Sequence, residues 1–125
     1  MPELKLKQLQ YESDTWKRLL GFMRDENIHL KNRLSEILKN GFNKNLLEEL
    51  ENFNSRFLKE DELIGLIRHD MAELDKLLLR NAFENGKIIE EIGRKLKIIR
   101  NNIELAERQF TKVQLEFNNY LSENI

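Results

Sequence analysis

The stretch that decides the fold is IEEIGRKLKIIRNNIELAERQFTKVQLEFNNY, residues 89–120. Its apolar side chains recur at alternating steps of three and four: Ile89, Ile92, Leu96, Ile99, Ile103, Ala106, Phe110, Val113, Phe117 and Tyr120. A half-buried strand would alternate every second residue. A mean step of 3.5 instead marks the a/d seam of a helix that packs along its whole length.

Working outward, the same phase appears twice more. One series runs Leu6, Leu9, Ser13, Trp16, Leu20, Met23, Asn27, Leu30, Leu34, Ile37; the other runs Leu46, Leu50, Phe53, Phe57, Glu60, Ile64, Ile67, Met71, Leu74, Leu78. Only Ser13, Asn27 and Glu60 are polar. The segments are punctuated by Asn40-Gly41 and Asn85-Gly86, each read as a left-handed glycine closing the helix before it. Asn45, with Glu48 three residues later, resembles a capping box that starts the second helix. Pro2 stands where a first-turn proline is tolerated.

These marks predict three helices, over about 3–39, 45–83 and 87–122, each roughly 50 Å long at 1.5 Å per residue. Short turns make consecutive helices antiparallel. The expected fold is a single all-α domain, an up-down-up bundle with coiled-coil-like packing and the proportions of a spectrin repeat.

Composition agrees and narrows function. Of 125 residues, 34% are charged and 40% hydrophobic, with five Gly and one Pro, a profile for long helices. A net charge of −1 gives no overall attraction to nucleic acid or an anionic membrane. The absence of cysteine excludes disulfides, thiolate metal sites and cysteine nucleophiles. The longest leucine run is Leu77–Leu79, and MPELKLKQLQ lacks the apolar core of a signal peptide. The cytoplasm is the expected location. The basic residues Lys87, Arg94, Lys95, Lys97 and Arg100 are offset by Glu90 and Glu91 and carry no interleaved aromatics, so they read as a solvated helix face.

Two pairs have metal-ligand spacing, Glu26-x-x-His29 and His69-x-x-x-Glu73. The first is similar to the pair used by ferritin-like carboxylate-bridged bundles, and the second resembles one motif of hemerythrin-like proteins. The resemblance implies, as the alternative function, a metal-binding bundle using Glu26, His29, His69 and Glu73. The register argues otherwise. Glu26 falls at g, His29 and Glu73 at c, and His69 at f. Position c lies about 130° and f about 170° from the seam, at roughly 100° per residue. No metal, cofactor or catalytic residue is therefore expected.

Glu60 falls at d, level with Met23 and Asn27 on the first helix and Phe110 and Thr111 on the third. A buried carboxylate needs partners. Arg24 is the expected one, assisted by Asn27 or Thr111, in a polar layer that fixes helix register. With no His, Ser or second acid beside it, Glu60 lacks an acid–base or nucleophile partnership.

Apolar residues at outward positions point to function. Phe22, Ile28, Leu58 and Leu115 fall at similar heights, and Leu66 falls near Leu105. Clustered exposed apolar residues mark contact surfaces. The expectation is a non-enzymatic interaction or scaffold module that self-associates, most simply as a dimer, or binds another helical protein.

Overall fold

A computed structural model describes residues 2–79 and 86–125. Three long helices, α1 (Pro2–Asn40), α2 (Leu47–Leu79) and α3 (Gly86–Asn124), pack side by side as an up-down-up bundle, with no strand among the described residues. No helix there is long and apolar enough to cross a membrane.

The heptad seam is the core. Every seam residue whose side chain is described is buried, from Leu9 to Ile37, Leu50 to Leu78 and Ile92 to Tyr120, the exception being half-buried Leu46 at the start of the second series. The side chains of Leu6 and Ile89 lie outside the described set. Leu77, beside the seam, is buried as well. Phe53, Phe57, Phe117 and Tyr120 stack between α2 and α3 with ring centroids 5.1–6.5 Å apart.

The turns follow the sequence less closely. Gly41 has φ 93°, the left-handed conformation that closes α1. Asn43, rather than Asn45, caps the next segment: its side chain accepts the Asn45 N–H at 3.0 Å and its carbonyl the Leu46 N–H at 2.9 Å. A 3-10 turn, Lys44–Leu46, forms there and feeds α2 at Leu47, so the expected Asn45–Glu48 box is replaced by a cap two residues earlier. Gly86 is the first residue of α3, and the expected closing of α2 at Asn85-Gly86 falls on residues outside the described ones. The expected end of the second helix, 80–83, lies outside the described residues.

Cross-helix contacts set the register. Ser13 Oγ donates to Asp75 at 3.5 Å, and Lys17 Nζ to the same carboxylate at 2.9 Å. Two heptads further along α1, and two heptads back along α2, Asn27 Nδ2 donates to Asp61 at 2.7 Å and Lys31 pairs with Asp61. The antiparallel alignment of α1 and α2 is thus clamped twice by one arrangement. Between the parallel pair α1 and α3, Arg100 meets Glu12 at 2.8 Å and Phe22 meets Phe110 edge-on at 6.3 Å. Arg56 and Glu116, 2.6 Å apart, join α2 to α3. Position e of α1 and α2 therefore faces their shared groove, while position g of α1 faces α3 and position g of α2 and α3 faces the groove between those two.

Candidate functional site

The buried polar layer differs from the expected one. Asn27, fully buried, donates to the Phe57 carbonyl at 3.0 Å and to Asp61, not to Glu60. Arg24 contacts Asp25 at 3.4 Å and lines the α1–α2 groove. Glu60 is 1% exposed and borders the α2–α3 groove with Arg56, Lys59, Gln109, Lys112 and Val113. Arg24 and Glu60 therefore look into opposite sides of α2, and the expected pair does not form. Thr111 is exposed and does not assist. Neither Glu60 oxygen has a hydrogen-bond partner among the described residues. Burial, and next the neighbouring Asp61 carboxylate, pushes the Glu60 pKa up to about 7.

Asp61, which accepts from Asn27 and pairs with Lys31, escaped the sequence reading. A signal was present: Ser13 and Asn27 are each followed four residues later by a lysine, and Asp61 and Asp75 share the same two-heptad spacing.

Both histidines are exposed, while Glu26 and Glu73 are half-buried. With Asn27 level with Asp61, His29 and His69 are separated by about 15 Å along the bundle axis at 1.5 Å per residue. The two pairs are not brought together, and no group of three or more metal-binding side chains forms among the described residues. Of the basic stretch, Arg100 is held by Glu12.

The six outer apolar residues are all exposed, Phe22 at 57% and Leu66 at 51%. The register divides them among faces. Leu66 and Leu105 stand level on the two shoulders of the α2–α3 groove. Ile28 and Leu58 stand level on the shoulders of the α1–α2 groove. Phe22 lies on the α3 side of α1, and Leu115 on the outermost line of α3. They form no single patch, because positions b and c lie on opposite sides of a helix.

No known protein family, curated protein or solved structure matches this chain. The functional reading rests on these surfaces.

Proposed function

We propose that this chain is a non-enzymatic helical interaction module, acting in the cytoplasm, that forms a homodimer through the α2–α3 face. The observation that carries the reading is the exposed pair Leu66 and Leu105, level with each other across that groove. Along α2, exposed Lys59 lies one heptad to one side of Leu66 and half-buried Glu73 one heptad to the other. A two-fold axis crossing the helices at Leu66 brings Leu66 against its own copy and Lys59 against the partner's Glu73. That is the self-complementarity an isologous contact requires. A foreign helix presenting leucine with flanking charges is the competing occupant.

Sedimentation equilibrium at tens of micromolar and about 0.5 M salt, where contacts that depend on exposed charges are screened, tests this. The expected mass is twice the 15.0 kDa of one chain. Replacing Leu66 and Leu105 together by Glu is expected to return it to that of one chain, with the helical circular dichroism unchanged. A monomeric wild-type chain overturns the reading.

A further inference from the structure

The α1–α2 seam repeats one charged layer and breaks it once. Lys17–Asp75 and Lys31–Asp61 are equivalent layers two heptads apart. The layer midway between them holds Arg24 and Arg68, a guanidinium from each helix where its neighbours hold a lysine and a carboxylate. Arg68 has no carboxylate within 4 Å among the described residues, and Arg24 has only its sequence neighbour Asp25, at 3.4 Å. Both arginines line a groove of about 370 Å³, together with the Lys17–Asp75 pair and with buried Leu20 and Met71 beneath it. Gly21 and Ala72 also line it.

The opposite shoulder of α1 carries the complement at the same level. Phe22 projects there, 57% exposed and held edge-on by Phe110. Glu26 follows it one turn along α1, and exposed Glu107 precedes Phe110 by one turn on α3. Neither carboxylate has an ion-pair partner within 4 Å among the described residues. Arg18, one turn before Phe22, is bonded to Thr15, and Arg24, two residues after it, lines the α1–α2 groove.

We propose that Phe22 of one copy seats in the α1–α2 groove of a second copy, its ring over Gly21 and Ala72, with Glu26 and Glu107 set against Arg24 and Arg68. Like charge forbids the isologous alternative, which would set the two arginine pairs upon each other. Knob and groove are different surfaces, so the contact is heterologous, and each copy keeps a free knob and a free groove for the next. Because both lie at one level of α1, copies line up side by side. This contact is separate from the Leu66–Leu105 face and extends assembly beyond a dimer.

The test uses a parent carrying Leu66→Glu and Leu105→Glu, in which the α2–α3 contact is absent whether or not it forms in the wild type. Two derivatives are made: a groove variant, Arg24→Glu with Arg68→Glu, and a knob variant, Phe22→Ala with Glu107→Lys. In sedimentation velocity at low salt, the parent is expected to associate with rising concentration. Each derivative alone is expected to stay monomeric. Mixed, they retain one intact knob and one intact groove, and a 1:1 pair that grows no further is expected. Circular dichroism verifies folding, and the milder Arg24→Gln, Arg68→Gln change, expected to weaken association at least tenfold, replaces the groove variant if that does not fold. A monomeric parent, a mixture that stays monomeric, or a derivative that associates like the parent overturns the proposal. A wild type that is monomeric at about 0.5 M salt, beside a parent that associates at low salt, sinks the dimer reading alone.

Discussion

The two seams of α2 hold the bundle by different means. Against α1, α2 presents Asp61 and Asp75, each taking a lysine and a neutral polar side chain two heptads apart. Against α3 it presents Phe53 and Phe57, interleaved with Phe117 and Tyr120. The packing of α2 is most extensive against α3, and α1 touches α3 least. The first seam specifies alignment: a one-heptad slip keeps an Arg68 like-charge pair, retains only one Asp–cation pair and takes Asn27 away from Asp61. The second supplies burial, which is strong but tolerant of alignment, and it also carries Glu60 with both oxygens unpaired among the described residues. Polar contacts choose one arrangement, and aromatic burial makes that arrangement stable.

The sharpest way to break this comparison is Phe117→Ala. Phe117 is fully buried, and loss of its ring is expected to cost about 3–5 kcal/mol in urea denaturation, leaving the α1–α2 alignment intact. A cost below that of removing Asn27 would reverse the assignment of roles.

Glu60→Gln addresses the flaw in the aromatic seam. The folded-state pKa, raised from 4.5 to about 7, means the native protein holds a proton that the unfolded chain has released between those values. Stability is therefore full below about pH 4.5 and falls as pH rises through 7. The variant is expected to gain about 3 kcal/mol at pH 8, at 1.36 kcal/mol per pH unit, and nothing at pH 4.5. A gain independent of pH, measured by parallel denaturation curves, would contradict burial of the charged form.

Asn27→Ala strips the Phe57 carbonyl and Asp61 of a donor. An expected cost of about 2 kcal/mol exceeds that of Ser13→Ala, whose bond to Asp75 is long. Equal costs would show that the two clamps do not differ in strength. The smallest effect is at the broken layer: Arg68→Asp completes the Lys–Asp series and is expected to stabilise the monomer by about 0.5 kcal/mol in thermal unfolding. The same change is expected to weaken heterologous association.

Much of the fold is legible in the sequence alone. Ser13, Asn27 and Glu60 were placed in the core by phase alone, and burial of all three follows from periodicity, which acts along one helix. That Glu60 does not pair with Arg24 was not legible. Both sit near the seam, but which side of α2 each one addresses depends on whether α3 lies to the left or right of α1. The same ambiguity merged Phe22, Ile28, Leu58 and Leu115 into one patch, when the helices carry them to different faces. Helix ends also moved, because Asn43 and Asn45 are both competent caps and only the path of the chain selects between them.

The sequence by itself determined three helices, their phase and the identity of the core, since a seam of 3.5-residue period has one way to leave water. Only the tertiary structure decided which side chains face one another across a groove: Asn27 with Asp61, Arg24 beside Arg68, Glu60 with no hydrogen-bond partner among the described residues. Those neighbours depend on the handedness of three-helix packing, a relation among helices that no periodicity within one of them encodes.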